Sequence, residues 1–321
     1  MCNGGEYNVL VGYDSGEDLT TGDGNVLIGK WAGTDVTTGA NNVYIGTEAA
    51  KIATTGDNNV IIGYAAGLDF DGNYTILIGG YSGYNCGSSA VSNTVVGYKA
   101  LYDNVNGDSN TVLGYQAGYR CDGSGNTYIG NSAGYFNEED PGDNEHGDNN
   151  TYLGSYAGWG VGVPPNVAHT YGSNCMLLGY NSQSSAQSVD NEITLGDGNI
   201  SALRCNVQTI SSLSDERDKT DIVDLPVGLD FVNTLRPIKF KWQTRVGETN
   251  KDGTVRAGFT AQQLKSAQED ANADFLNLVY ESNPDKLEAT YGNLIPVLVQ
   301  AVQDLSAQVN QLKEELELCR T

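Results

Sequence analysis

The chain of 321 residues has no long apolar run, and this absence excludes one class of protein. No segment approaches the ~18 apolar residues that a membrane-spanning helix needs, so we predict no membrane insertion. The first ten residues, MCNGGEYNVL, contain neither the basic stretch nor the apolar core of a signal peptide. We therefore expect synthesis and assembly in a cytosol.

Basic residues are also scarce. The chain has 17 lysine and arginine residues against 40 aspartate and glutamate residues, a formal net charge of −23. Residues 1–213 carry −17 of this charge and residues 214–321 carry −6. So acidic a surface repels phosphate backbones and anionic lipid. The composition argues against nucleic-acid binding and agrees better with cation binding or with solubility at high protein concentration.

The six cysteines are scattered, without a Cys-x-x-Cys motif or a cysteine–histidine cluster. Metal sites built on cysteine need such spacing, so we predict no metal site and no cofactor. We expect reduced cysteines that pack as small apolar side chains. Calcium binding by the turns stays open, although DFDGN at 69–73 imitates an EF-hand loop without its final glutamate.

One phrase is repeated through the first 200 residues: an aliphatic or β-branched triplet closed by glycine, as in NVLIGKWAG and NTVLGYQAG. Its glycine recurs at spacings of 17, 17, 17, 16, 18, 17, 16, 24, 25 and 17 residues. Such a period is typical of a solenoid, whose units bury their apolar faces against their neighbours. The sequence predicts a β-solenoid rod of about eleven rungs over residues 1–200. The glycines are Gly12, Gly29, Gly46, Gly63, Gly79, Gly97, Gly114, Gly130, Gly154, Gly179 and Gly196.

Each rung is predicted to contain two short strands. The triplet forms the first strand. An alanine or serine lies three residues after the glycine, and an apolar residue often lies seven residues after it. These positions fit the two-residue period of a strand, which predicts the second strand. Glycine-, asparagine- and aspartate-rich turns close the rung. At ~4.8 Å between strands the rod would be roughly 50 Å long. The apolar residues at the seventh position are Leu19, Val36, Phe70, Cys86 and Cys121.

Asparagine and tyrosine recur in register with the glycine. The asparagine precedes the triplet at positions 8, 25, 42, 59, 93, 110, 126 and 150. We predict that it forms a stacked hydrogen-bonding ladder, with ligand binding as the alternative. Tyrosine follows the glycine at positions 13, 64, 81, 98, 115 and 180. Its alternatives are a packing residue at the rim, which we favour, and a platform for sugars.

Two units are longer than the rest. Residues 135–150 and 159–173 account for the spacings of 24 and 25. Insertions in solenoids emerge as loops on one face, often the binding face. The second insertion contains Trp159, His169 and Tyr171, which form a candidate receptor-binding loop suited to a saccharide. A tolerated surface excursion is the alternative.

The region after residue 213 has an α+β pattern. LPVGLDFVNTLRP (225–237) predicts a short helix, and IKFKW (238–242) predicts a strand. Thr260 and Gln263 form a capping box that opens a helix within residues 258–272. Short strands are expected at 278–280 and just before Tyr291.

The last segment, 293–321, is predicted to be a coiled-coil helix with Asn293 as its N-cap. Its apolar residues alternate at spacings of three and four, the pattern of a heptad seam. This spacing favours self-association over packing on its own domain. Valine at a and leucine at d favour two strands. The seam residues are Ile295, Leu298, Val302, Leu305, Val309, Leu312, Leu316 and Cys319.

Four ordered motifs carry a resemblance: SDERDKTDI (214–222), LRPIKFKW, GFTAQQL and LIPVLVQAVQDLSAQV. Residues 211–321 resemble the intramolecular chaperone auto-processing domain of phage endosialidases, also found at the C-termini of phage tail fibres and tailspikes. The resemblance implies a domain that trimerises, helps three β-rich chains fold in register, and then cuts itself off. It implies Ser214 as nucleophile, Lys219 as base, and Leu213–Ser214 as the scissile bond.

A lysine base must be neutral, which burial or a neighbouring positive charge favours. Arg217 is the candidate neighbour. Asp218 departs from the apolar residue usual at this position in the family, and its carboxylate would favour the charged lysine. The alternative is an exposed turn of acidic and basic residues without a catalytic role.

The repeats in turn resemble those of trimeric phage fibres and of trimeric autotransporter adhesin heads. We therefore expect a mainly β, homotrimeric bacteriophage tail fibre in the virion, with a rod (1–200), a neck (201–213) and a small α+β chaperone domain (214–321). Its partners would be other phage tail or fibre proteins and a host surface glycan or protein receptor. The alternatives are a cell-surface adhesin head, disfavoured by the missing signal peptide, and a polysaccharide-degrading tailspike, for which no paired-carboxylate motif stands out.

Overall fold

The computed structural model describes residues 5–137, 147–161, 172–186, 188–200, 202–204, 214–242, 253–281, 283–284 and 287–320. The chain divides into two compact units, Met1–Ile200 and Ser201–Thr321. Among the described residues, no helix is both long and apolar enough to cross a membrane.

The first unit is a parallel β-solenoid, as the glycine period predicts. Each strand of its main sheet pairs with its neighbour triplet on triplet, so that Val26 lies opposite Val9 and Val43 opposite Val26. The strands of this unit are β1 (Val9–Val11), β2 (Val26–Ile28), β3 (Val43–Ile45), β4 (Val60–Ile62), β5 (Ile76–Ile78), β6 (Asn85–Cys86), β7 (Thr94–Val96), β8 (Asp103–Asn104), β9 (Thr111–Leu113), β10 (Thr127–Ile129), β11 (Phe136–Asn137), β12 (Thr151–Leu153), β13 (Gly160–Val161), β14 (Met176–Leu178) and β15 (Ile193–Leu195). The main sheet has eleven strands in the order β1-β2-β3-β4-β5-β7-β9-β10-β12-β14-β15.

Side chains alternate across the main sheet because successive strand residues point to opposite faces. In the inner rungs the middle residue of each triplet is buried, while the first and third residues face outward. The outward residues are mostly aliphatic, and several are well exposed. The sheet therefore has a buried inner face and an apolar outer face. The buried middle residues are Leu27, Tyr44, Ile61, Leu77, Val95, Val112, Tyr128, Tyr152 and Leu177.

The second strand that was predicted for every rung is wrong for most described rungs. In the described part of the rod, β6 pairs with β8 and β11 with β13, both parallel, and one isolated parallel bridge joins Asp103 to Arg120. In these rungs and in most others, the residues just after the glycine form turns, because positive φ recurs two and four residues beyond it, as at Asp14 (51°) and Gly16 (59°). Left-handed residues at alternate positions bend the chain instead of extending it. The predicted inward residues at the seventh position are nevertheless buried.

The asparagine ladder is confirmed. The side-chain oxygen of each ladder asparagine accepts a backbone N–H from the next rung, as between Asn59 N–H and Asn42 Oδ1 at 2.9 Å. In all of them but Asn126, whose Nδ2 donates to the Cys121 sulfur, the Nδ2 group donates to a turn carbonyl of the next rung, as from Asn42 to Gly56 O at 2.7 Å. These asparagines are fully buried through the middle of the rod. The ladder therefore satisfies backbone groups where strand and turn meet.

A second polar ladder runs through the turns in the opposite direction. Here a backbone N–H donates to a side-chain oxygen of the following rung, as from Ala40 N–H to Asp57 Oδ1 at 2.7 Å. Asp57 N–H donates in turn to Asn73 Oδ1 at 2.6 Å. Part of the acidic composition is thus explained by turn aspartates that accept backbone hydrogen bonds.

The described cysteines of the solenoid behave as predicted, whereas Cys319 is exposed and contradicts the expected burial. Cys86, Cys121 and Cys175 are buried and free. Burial raises the pKa of the Cys121 thiol to about 11, so the reactive thiolate is disfavoured.

The second unit is a small α+β domain, as expected. Its four described strands form two antiparallel pairs, in which Ile238 lies opposite Gly258 and Val279 opposite Ala289. Its core joins Phe231, Leu264, Leu278 and Val297. Thr260 Oγ1 accepts the Gln263 N–H at 3.3 Å, which confirms the predicted helix start. The elements are α1 (Leu229–Thr234), β16 (Ile238–Phe240), β17 (Arg256–Gly258), α2 (Ala261–Asp270), β18 (Val279–Tyr280), β19 (Glu288–Ala289) and α3 (Leu294–Leu318), with 3₁₀ turns at Glu216–Asp218, Asp274–Leu276 and Tyr291–Asn293.

Helix α3 packs on its own domain with one face only. Leu294, Val297 and Ala301 are buried in that contact. The heptad seam points elsewhere and is exposed along its length, from Ile295 (64 %) to Leu316 (53 %). Asn293 lies at the N-cap position, as predicted, but its side chain does not cap the helix. Its Nδ2 group donates instead to the Leu276 carbonyl at 2.9 Å and to the Asn277 carbonyl at 3.1 Å.

Candidate functional site

The predicted cleavage residues lie in one tight turn. The Asp215 carboxylate accepts the Arg217 N–H at 2.9 Å and so caps the 3₁₀ turn Glu216–Asp218. The Lys219 N–H then bonds to the Glu216 carbonyl at 3.1 Å. Because the turn reverses the chain, Lys219 comes back beside Ser214.

The structure brings Ser214 and Lys219 into direct contact. Lys219 Nζ lies 2.7 Å from Ser214 Oγ and 3.5 Å from the Ser214 carbonyl oxygen. Both residues are exposed. At this distance an ammonium can donate to the hydroxyl, and a neutral amine can accept the hydroxyl proton. Their roles as nucleophile and base stay a prediction.

Arg217, the candidate positive neighbour of Lys219, is paired with Asp215. Its Nη2 lies 2.6 Å from Asp215 Oδ2, and its Nε lies 3.0 Å from Asp215 Oδ1. This hydrogen bonding lowers the pKa of the Asp215 carboxyl and raises the pKa of the Arg217 guanidinium. The arginine charge is therefore paired with Asp215, and Asp218 is exposed beside it.

Other predicted site residues lie outside the described part of the chain: Leu213, His169 and Tyr171. Trp159 is described and is half-buried on its rung. Its ring centroid lies 5.2 Å from that of Tyr156 in an edge-to-face contact. Of the candidate receptor-binding loop, the structure thus places Trp159 alone.

A column of stacked tyrosines was missed in the sequence. Tyr84, Tyr102, Tyr119 and Tyr135 stack rung on rung, with centroid separations of 5.1, 5.0 and 5.0 Å. Each is the fifth residue after the glycine of its unit, so a signal was present in four successive repeats. Trp159 occupies the same position after Gly154.

Within the described ranges, no group of three or more histidine, cysteine, aspartate or glutamate residues could hold a metal ion.

Comparison with protein families identifies a part of the second unit. Residues 214–272 match the family model described as chaperone of endosialidase. The match begins at Ser214 and includes Lys219. No curated protein and no solved structure matches the chain significantly. The resemblance seen in the sequence is thus confirmed over these residues. A chaperone domain of this type that follows a β-solenoid in the chain fits a tail fibre or tailspike.

Proposed function

We propose that the chain forms a homotrimeric bacteriophage tail fibre, a structural part of the virion that attaches the particle to the host surface. The observation that carries this proposal is that a match to the chaperone of endosialidase follows a parallel β-solenoid in the chain. The rod would bind a host glycan or protein receptor, and other tail proteins would hold it on the particle.

Self-association is supported by the seam of α3. Leu298, Val302, Leu305 and Leu312 are between 47 % and 64 % exposed in the single chain. Apolar residues spaced alternately three and four positions apart are typical of helices that pack against one another. Because the opposite face already packs on the domain, the seam is free to contact other copies.

The outer face of the solenoid sheet supports the same proposal independently. Ile76, Leu113, Leu153, Met176 and Leu195 point outward and are 37–49 % exposed. Contiguous apolar surfaces of this kind mark contacts with other proteins. Three copies packed by this face would cover it along the rod, and the copy number can be measured by native mass spectrometry.

The chaperone domain would act before the fibre matures. Parallel strands joined across rungs are slow to fold, because loop-closure entropy is lost before the contacts form. A domain that first joins three chains raises the effective concentration of the rods and helps to set a common register.

Self-cleavage would then remove the chaperone. Ser214 Oγ attacks the carbonyl carbon of Leu213, and its proton passes to Lys219 Nζ. The same proton moves to the Ser214 amide nitrogen as the C–N bond breaks, which leaves an ester between Leu213 and Ser214 Oγ. Water hydrolyses this ester, so the products are a Leu213 carboxylate and a fragment that begins with Ser214.

Mass spectrometry of the purified chain tests the cleavage. We expect the wild-type chain to yield a fragment that begins at Ser214, and Ser214→Ala and Lys219→Met to stay intact. Ser212→Ala, on the other side of the bond, should be cut like the wild type. A wild-type chain that never yields this fragment contradicts self-cleavage. Trimerisation is tested separately, by the mass of the intact assembly.

Attachment is tested with the fluorescently labelled wild-type chain and a panel of bacterial strains. We expect saturable binding to some strains, with competition by the unlabelled chain. Failure to bind any strain would count against the attachment function.

A further inference from the structure

One edge of the solenoid is rich in tyrosine over five successive rungs. The edge is made by the residues that follow Gly63, Gly79, Gly97, Gly114 and Gly130. We call it the tyrosine edge, and it contains two columns. The inner column is Tyr84, Tyr102, Tyr119 and Tyr135. The outer column is Tyr64, Tyr81, Tyr98 and Tyr115.

The inner column is a continuous stack. The planes of Tyr84 and Tyr102 differ by 4°, and those of Tyr102 and Tyr119 by 7°. Each ring therefore supports the next, and the column forms an ordered base. It joins the outer column where the ring centroids of Tyr81 and Tyr84 lie 5.7 Å apart.

The outer column offers ring surface to solvent. Tyr64, Tyr98 and Tyr115 are 50 %, 44 % and 50 % exposed. Their rings do not form one regular stack, since Tyr81 meets Tyr98 edge to face at 88°, whereas Tyr98 and Tyr115 lie at 14°. About half of each exposed side chain is thus available to a ligand. Tyrosine directly follows the glycine on three of the five rungs, and on the Gly79 rung Tyr81 lies one residue further on.

The tyrosine edge is also neutral on an acidic rod. The seven residues after each of its five glycines include two acids, Asp69 and Asp103, and two bases, Lys99 and Arg120. Residues 1–213 as a whole carry −17. Lys99 Nζ lies 5.3 Å from the Tyr102 ring centroid and 5.8 Å from that of Tyr98, so the lysine sits between the columns.

We propose that the tyrosine edge binds a polysaccharide chain lying along the rod. Sugar rings have apolar C–H faces that pack on aromatic rings, and their hydroxyls pair with phenol groups. The outer rings recur at 5.1–6.0 Å, a step comparable to one hexose unit of an extended chain. The acidic rod repels phosphate backbones, which disfavours a nucleic acid. This inference rests on the proposed attachment function and names its ligand class.

The test uses the full chain and an array of purified bacterial surface polysaccharides. The key variant is Tyr98→Ser with Tyr115→Ser. Its matched control is Tyr74→Ser, because Tyr74 is 67 % exposed but lies in the turn before β5, away from the edge. We expect the wild type to bind at least one polysaccharide, the double variant to bind it roughly tenfold or more weakly, and the control to be unchanged. Tyr98→Phe with Tyr115→Phe keeps the rings and should retain most of the binding.

The remaining outcomes overturn the proposal. Unchanged binding by the double serine variant, or no polysaccharide bound by the wild type, excludes this site. A change in oligomeric mass in the double variant would show that the edge contacts another copy instead. Attachment to cells by a wild-type chain that binds no polysaccharide would overturn this inference alone, whereas attachment to no strain would count against the proposed function too.

Discussion

The backbone N–H of Asn42 donates a hydrogen bond of 3.0 Å to the side-chain oxygen of Asn25, one rung earlier. Asn42 repeats the arrangement with the following rung, because its own Oδ1 accepts the Asn59 N–H at 2.9 Å. Each ladder asparagine thus connects its neighbours through buried groups that water cannot reach. The ladder should contribute strongly to the stability of the rod.

Replacing Asn42 by alanine tests that contribution. The variant leaves the Asn59 N–H and the Gly56 carbonyl without their partners. Since an orphaned buried group costs about 1–3 kcal/mol, we expect the free energy of unfolding to fall by roughly 3 kcal/mol, measured by chemical denaturation. Asn106→Ala, at an exposed turn position, is the control. Equal stabilities of the two variants would contradict the role of the ladder.

Periodic features were predictable because one residue type repeats in one environment. The strand triplets, the asparagine ladder and the exposed seam of α3 all follow from spacing alone. The second strand was wrong because left-handed residues such as Asp14 and Gly16 turn the chain, and a turn also buries the residues three and seven positions after the glycine, such as Ala32 and Val36. The turn at Ser214 was predictable only as a motif, since the pairing of Arg217 with Asp215 depends on local geometry rather than on spacing.

The glycines that close the strands admit no side chain. Gly63 has φ of +144°, and an added Cβ would lie 2.4 Å from the Gly79 carbonyl oxygen of the next rung. The energetic costs of backbone strain and of overpacking add together. Gly63→Ala should therefore destabilise the rod by about 3 kcal/mol or more. Gly198→Ala should be tolerated, because nothing lies within 4 Å of its added Cβ. Thermal unfolding of the two variants checks the difference, and equal melting temperatures would contradict it.

Acid should weaken the rod partly through Asp71. Burial tends to raise the pKa of this carboxyl, but hydrogen bonds from the Thr54 hydroxyl and the Thr55, Thr54 and Gly56 N–H groups lower it below 3.8. A lowered folded-state pKa contributes stability that is complete above the unfolded value and is lost as the pH falls through the folded one.

Asp71→Asn cannot titrate, so its stability should fall less between about pH 5 and pH 3 than that of the wild type. At neutral pH we expect the variant to be less stable by roughly 1 kcal/mol, since the carboxylate is partly screened by solvent. Denaturation midpoints across this pH range check the prediction, with exposed Asp69→Asn as the control. Parallel pH profiles for Asp71→Asn and the wild type would refute it.

The seam of α3 gives the sharpest test of self-association. Leu312 is 63 % exposed and lies outside the core of its own domain, so Leu312→Asp should leave the fold of the single chain unchanged. In a seam between helices the same change buries a charge, and we expect association to weaken roughly a hundredfold or more. Asn310→Asp adds the same charge at an exposed position off the seam and should not alter the mass. Light scattering distinguishes the two variants. If Leu312→Asp keeps the oligomeric mass of the wild type, the seam is not the contact that holds the copies together.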